Sequence, residues 1–358
     1  MKRWFSMITL ALVLAGCGGA AVPTAQPTAP AGAADLGAIK TYLVGKATDL
    51  DGRAAKLESA SQRYYDLAKA ANFDYAALWS GKQAEVSAAL VEAKQLWTEA
   101  SPNYEQIEGI VAGVPTLADY DVILDAGSSG AEGGDSVAPY DLTLADGRTL
   151  AKPGNLFGVT ESTLWGTFPE FTVADVQADL NGNGSVEFGE SLPEANVLLA
   201  STQKLHATTG ELLTAAQAWQ PTEADAFTAL VTMIPTMSEY FESWKNSRFV
   251  SGDASEQRDF VAISRLADVQ DILGSLQVVY TSVSPAVAKL DKAEDEKIAA
   301  DLAALRAFVA DVHAKEKGGQ RFTAEEADIL GAEAQNRATA VTGQISQVAA
   351  RLNVKIAE

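Results

Sequence analysis

From Leu36 to the C-terminus, apolar residues recur at three- and four-residue spacing on a background of Ala, Leu, Glu, Gln and Lys. That period places them on one face of a helix. The clearest stretches are residues 88–97, 196–219, 260–280, 294–313 and 324–352. Thr222 with Asp225 three positions on, and Thr323 with Glu326, carry the pattern of helix starts. Pro221 and the Gly318-Gly319 pair mark helix stops. Long amphipathic helices joined by short loops predict antiparallel bundles, so the expected fold is all-α with two helical-bundle lobes. No fixed-period tandem array is visible, and a duplication of one bundle into two stays open.

The helical pattern lapses over residues 126–195, an insertion rich in Gly, Asp, Ser and Pro. Residues 142–150 alternate around Asp146-Gly147 and predict a short hairpin. Long irregular segments on a rigid scaffold are where function concentrates, and this one carries the sharpest motif in the chain. Residues 179–190 (DLNGNGSVEFGE) fit the EF-hand loop at positions 1, 3, 5, 6, 8 and 12. Asp179, Asn181 and Asn183 offer side-chain oxygens, and Ser185 offers its backbone carbonyl. Glu187 can ligate directly or through water, and Glu190 can clamp an ion with both oxygens. Gly184 permits the sharp turn, and Val186 is expected as the apolar plug. The competing reading is a polar Asn/Gly turn. Ca²⁺ is expected here as a structural ion that orders the insertion, because binding to a site absent from the unfolded chain is folding free energy. Two asparagines in place of carboxylates and the lack of a second loop point to weak binding, near the range of about 10⁻⁴–10⁻³ M of extracellular modules.

The first residues have a different character. Lys2 and Arg3 precede an apolar run over residues 5–14, which closes on Leu14-Ala15-Gly16-Cys17. The charged start, short apolar stretch and small residues predict a signal peptide over residues 1–16. The run is well short of the ~20 residues needed to span a bilayer. A Cys directly after Leu-Ala-Gly resembles the bacterial lipobox, which implies a lipid on Cys17. Cys17 is the only cysteine, so no intramolecular disulfide and no Cys-based metal site can form. A unit with two acyl chains would anchor the protein stably. With Cys17 at its head, the Pro/Ala/Thr stretch to residue 36 predicts a flexible tether. Residues 37–358 then suffice for one large domain or two modest ones. The expected location is extracytoplasmic, anchored by lipid to the bacterial membrane.

The formal charge is −20, or −22 once Lys2 and Arg3 leave with the signal. Such a surface repels nucleic acid and anionic headgroups. It suits cations, or it only confers solubility.

Three stretches together resemble the imelysin family, and in particular its EfeO-type members linked to iron uptake. The first joins residues 93–97 (AKQLW) to residues 104–108 (YEQIE), and the second is residues 119–125 (DYDVILD). The third is residues 156–166 (LFGVTESTLWG), similar to a Gly-Phe-His-x-x-Glu-x-x-Leu-Trp-Gly signature. Residues 344–350 (QISQVAA) are similar to the family's ending, and the likeness spans most of residues 37–358. The resemblance implies an imelysin-like helical domain, a metal centre with iron or another cation as cargo, and an iron permease as partner. It also shows a departure: Glu161 matches the signature's Glu, but Gly158 stands where the His belongs. A surviving centre would be all-oxygen, built from Glu161, Glu108, Asp121 and Asp125. Asp121 and Asp125 are four apart and would share a helical face. Hard cations such as Fe³⁺ or Ca²⁺ accept such a set, whereas zinc favours nitrogen or sulfur. The competing reading is that these acids are solvated or cap helices.

Other residues are expected to be structural. His313-Ala314-Lys315-Glu316 reads as a surface coincidence near a helix end, and His206 as a partly buried helix residue. Trp165, Trp219, Trp244 and Phe241 read as core. Met233, Pro235, Met237, Tyr240 and Trp244 fit core packing, with a pocket lining as the alternative. Ser264, Arg265, Asp268 and Asp271 fit internal salt bridges. The family is catalogued with peptidases, but a metallopeptidase needs an open metal site and a general base, and no nucleophile elbow, phosphate loop or dinucleotide fingerprint is present. Three functions follow in order: a non-enzymatic component of iron or other cation acquisition; a calcium-ordered binding or adhesion module for a polysaccharide or partner protein; and a degenerate peptidase.

Overall fold

The computed structural model describes residues 33–134 and 136–357. The expected signal peptide, Cys17 and most of the expected tether lie outside the described residues. Within them the architecture is all-α, as the apolar period predicts.

The chain opens with two long helices, α1 (Leu36–Ala70) and α2 (Tyr75–Val111). At 1.5 Å per residue each spans roughly 50–55 Å. Asp35 and Asp74 cap them by accepting from the backbone N–H groups of Ala38 and Ala77. Then come a short α3 (Ala118–Asp121) that widens into a π-helical turn (Val122–Ala126), a hairpin of β1 (Leu142–Thr143) and β2 (Thr149–Leu150), and α4 (Leu156–Trp165). A second hairpin joins β3 (Thr172–Val173) to β4 (Leu192–Pro193), with residues 174–191 between them. The remainder is helical: α5 (Ala195–Ala218), α6 (Glu223–Met233), α7 (Met237–Asn246), α8 (Arg248–Ser251), α9 (Arg265–Leu290), α10 (Lys292–Lys317) and α11 (Ala324–Arg351).

α1 packs between α2 and α5, and α9 packs on α10, which with α7 supports α11. These are the two helical groups that the sequence predicts, joined where α2 crosses α9. Gly109 makes that crossing close: a Cβ there would lie 2.5 Å from Ser275 Oγ and 2.9 Å from Leu276 Cγ. One apolar core runs from Ile39 in α1 to Ala349 in α11 without a break. Among the described residues, no helix is long and apolar enough to cross a membrane.

Local signals hold where chemistry is local. Thr222 with Asp225 and Thr323 with Glu326 form complete capping boxes. The hairpin turns at Asp146-Gly147, with Leu142 opposite Leu150 and Gly147 at φ 90°. The helix expected from residue 260 begins instead at Arg265, because Phe260 takes a left-handed φ of 53° and Ser264 caps the first turn. Residues 126–195 are also less peripheral than their composition suggests, since α4 lies inside them and is buried from Leu156 to Leu164. Trp165 and Trp219 are half-buried rather than core, while Trp244 is fully enclosed.

Candidate metal centre

Glu105 and Glu108 stand three residues apart on α2 and therefore share a helical face. α2 is buried all round at this point, with Tyr104, Ile107, Gly109, Ile110 and Val111 enclosed as well. Opposite it, the end of α3 and the π turn bring in Asp121 and Asp125, and the first turn of α9 brings Arg265 and Asp268. All six side chains are buried. Glu105, Glu108 and Asp125 each place one carboxylate oxygen within 4.8 Å of the others. Tyr104 donates its hydroxyl hydrogen to Asp121 at 2.7 Å, and Tyr240 donates to Glu108 at 2.6 Å. Arg265 lies 3.0 Å from Asp268 and 3.8 Å from both Glu105 and Asp125. Its guanidinium is stacked against the Phe260 and Tyr240 rings, at 3.8 and 4.9 Å.

Five buried carboxyls thus share one buried guanidinium. Burying unpaired charge is costly, and a group resists it by taking up a proton. Burial pushes Glu105 and Asp125 well above the usual carboxylate range. Asp121 is pushed up to about 7 by burial and by Glu108, against the hydrogen bond from Tyr104. Asp268 rises to about 6 through burial, with Arg265 opposing. Among the described residues, no donor reaches Glu105 Oε2 or Glu108 Oε2. Glu108, Asp121, Asp125 and Arg265 line a cavity of about 460 Å³, with exposed Glu132 and Glu239 also on its wall. A cation bound among these oxygens would satisfy the unpaired lone pairs and supply the missing positive charge. The Imelysin family model matches residues 39–348 of this chain.

The chain belongs to the imelysin family. The family model's label places it among the peptidases. No curated protein matches the chain.

The four acids that the imelysin resemblance assigns to the centre do not all meet. Glu108, Asp121 and Asp125 converge, but Glu161 is spent elsewhere. Its carboxylate accepts from the backbone N–H groups of Phe260, Val261 and Ala262, at 2.6, 2.9 and 2.8 Å. Burial pushes Glu161 up to about 8 even so, with the three amides pulling the other way. The position where the imelysin signature has its imidazole is also filled. A Cβ built on Gly158 would come within 2.9 Å of Asp259 Oδ2 and 3.0 Å of Asn155 Oδ1. Asp259 lines the same cavity; burial raises its pKa, and Arg258 and then Arg265 oppose the rise.

Three participants escaped sequence reasoning. Glu105 has a readable signal, a second acid three residues before Glu108 in a largely apolar stretch of α2. Asp268 reads in the sequence as half of an internal salt bridge, which it makes with Arg265, while Asp271 meets Gln106 at 3.4 Å. Asp259 carried no signal, since its place depends on how residues 255–264 fold back on α4. Neither histidine lines this cavity. His206 Nδ1 lies 2.6 Å from Glu58, and His313 Nδ1 lies 2.6 Å from the Gln270 side-chain nitrogen. Of the Met/aromatic stripe, Met233 and Tyr240 reach the cavity wall, and Met237 is core.

The loop at residues 179–190 is a separate, exposed feature at the end of the β3–β4 hairpin. Asp179 gathers the N–H groups of Gly182, Asn183 and Gly184, at 2.7, 3.2 and 2.7 Å. Asn181 accepts from Asn183, and Asn183 accepts from Ser185. Glu190 reaches back across the loop, accepting from Asn181 at 3.0 Å and Glu187 at 2.9 Å. Gly182 and Gly184 take φ of 72° and 90°. Two departures from an EF-hand stand out. Short strands flank the loop in place of helices. Val186, expected as a plug, is 45% exposed, because no second loop lies against it. Lys94 of α2 ties the loop to the bundle by donating to the Gly189 carbonyl, and burial lowers its pKa to about 8 against the pull of Glu190.

Proposed function

We propose that this protein is an extracytoplasmic cation-binding lipoprotein, a non-enzymatic component of iron or other hard-cation acquisition, held at the membrane by lipid on Cys17. One observation carries the reading. Three buried carboxylate oxygens, from Glu105, Glu108 and Asp125, lie within 4.8 Å of one another beside a single guanidinium. An all-oxygen donor set of this charge suits a hard cation. Arg265 trims the negative charge and holds the acids in place between cargo loads. A membrane permease is the expected recipient of the ion. Hydrolysis is the weaker reading, since it needs a positioned general base as well as a metal, and no imidazole lines this cavity.

A second, structural ion belongs to the exposed loop. The side chains of Asp179, Asn181, Asn183, Glu187 and Glu190, with the Ser185 carbonyl, supply the oxygen types that Ca²⁺ takes. The hydrogen bonds at Asp179 and Glu190 support this reading by folding the loop around its first and last carboxylates.

The test is metal retention after purified protein is equilibrated with ferric citrate, Ca²⁺ or Zn²⁺ and passed through gel filtration. Iron should be retained over zinc. The double variant Glu108→Gln, Asp125→Asn should weaken iron binding at least tenfold while leaving helicity intact. Undiminished iron binding in that variant would end the cluster reading.

A further inference from the structure

Gly158 and Glu161 lie one turn apart on α4, and together they hold a segment from outside it. Glu161 receives three successive N–H groups, those of Phe260, Val261 and Ala262. The residue just before them is Asp259. Its carboxylate occupies the space that a side chain at Gly158 would take. Phe260 sits at a φ of 53°, a left-handed conformation that a bulky residue adopts only when its surroundings impose it. Here Glu161 grips its N–H from one side and Arg265 stacks on its ring from the other. The segment is therefore over-determined, and Asp259 is held on the wall of the cavity that Glu108, Asp121 and Asp125 also line. Among the described residues, no donor from another residue bonds to the Asp259 carboxylate. Glu108 adds an independent sign of a missing ligand: it is 3% exposed, and its second oxygen has no donor.

We propose that Asp259 is a carboxylate ligand of the cation centre, admitted by the absence of a side chain at Gly158 and positioned by Glu161. The inference rests on the cation-binding reading above. On α4, the Gly158–Glu161 pair then acts as a cradle and donates no ligand of its own. Ligation comes from a segment distant in sequence, and the donor is oxygen, so the centre is biased toward hard cations and away from zinc.

Three variants separate the parts of this proposal. Asp259→Asn keeps the shape and removes the charge. Gly158→Ala puts a methyl group within 2.9 Å of the Asp259 oxygen, which must shift, and 3.0 Å from the Asn155 cap oxygen, which must give slightly. Glu161→Ala frees the three amides. Each is titrated with ferric citrate beside the unaltered protein, with Asp271→Asn, whose carboxylate meets Gln106 and lies off the cavity wall, as control. Hydrogen exchange at the amides of Phe260, Val261 and Ala262 is followed in parallel. The expected result is a tenfold or greater loss of iron affinity in all three and none in Asp271→Asn. Exchange at the three amides should accelerate in Glu161→Ala and stay slow in Asp259→Asn, which marks Glu161 as the positioning residue. Iron binding by Asp259→Asn equal to that of the unaltered protein would overturn the inference and leave the cluster reading standing. Full binding by Gly158→Ala alongside a weak Asp259→Asn would overturn the role of Gly158. No iron binding by the unaltered protein would overturn both readings together.

Discussion

Arg265 touches Glu105, Asp125 and Asp268 within 4 Å, and its worth depends on how many of them are ionised. Removing one partner of a buried ion pair costs about 3–5 kcal/mol because the other charge is left uncompensated. Arg265→Met should therefore destabilise the metal-free protein by about that much near pH 8. The cost should shrink near pH 5, where the raised carboxyls hold protons. Urea unfolding at the two pH values checks this, and a loss below about 1 kcal/mol near pH 8 would show that Arg265 is not the main counter-charge. The same neighbourhood shows why single residues are hard to place from sequence. Asp121 and Asp125 could be read as one face of a turn, because helical spacing is a local rule. Glu161 could not be read correctly, since its partners lie a hundred residues away in a segment whose backbone is set by Glu161 itself.

At the level of elements, legibility follows the range of the deciding forces. Capping boxes at Thr222 and Thr323 and the Asp146-Gly147 turn depend on neighbours within a few residues, and the sequence names them. The start of α9 depends on Glu161 taking the amides of residues 260–262, so periodicity alone placed it five residues early. The β3–β4 hairpin makes a separate point. Two residue pairs close a segment that carries Asp179 to Glu190 and exposes Val186 and Phe188. Such a segment has little packing of its own and should open at far less cost than the bundle. With Ca²⁺ bound it should resist proteolysis. EDTA, or Glu190→Gln, should bring cleavage within residues 174–191 while far-UV helicity stays nearly constant. Cleavage indifferent to calcium would remove the structural ion from the account, and loss of all helicity in EDTA would show that the ion supports the whole fold.

For the molecule as a whole, the buried acids set a pH dependence with a definite sign. Asp268 and Asp121 have pKa values of about 6 and about 7 in the folded protein, above the ~4 of an unfolded Asp. Between those values the folded state binds more protons than the unfolded one, so its stability falls as pH rises. The metal-free protein should therefore melt lower near pH 8 than near pH 6, with a hard cation reversing the loss by binding the ionised carboxylates. Thermal melts in chelator and in ferric citrate test this; a metal-free protein more stable near pH 8 would contradict the assignment of these groups.

The unbroken core from Ile39 to Ala349 also bears on how the chain comes into being. Whether at synthesis or on export, the chain emerges N-terminus first, so α1, α2 and α5 can meet early. The face of α2 that carries Gly109, packed against Ser275 and Leu276, must wait until α9 has been made. α7 and α10 wait in turn for α11. Until then the growing chain carries a long greasy strip with nothing to cover it, and such exposure is what draws nascent proteins into aggregates. That strip stays uncovered until α11 is in place, and a chain cut short before α11 would be left in that state for good.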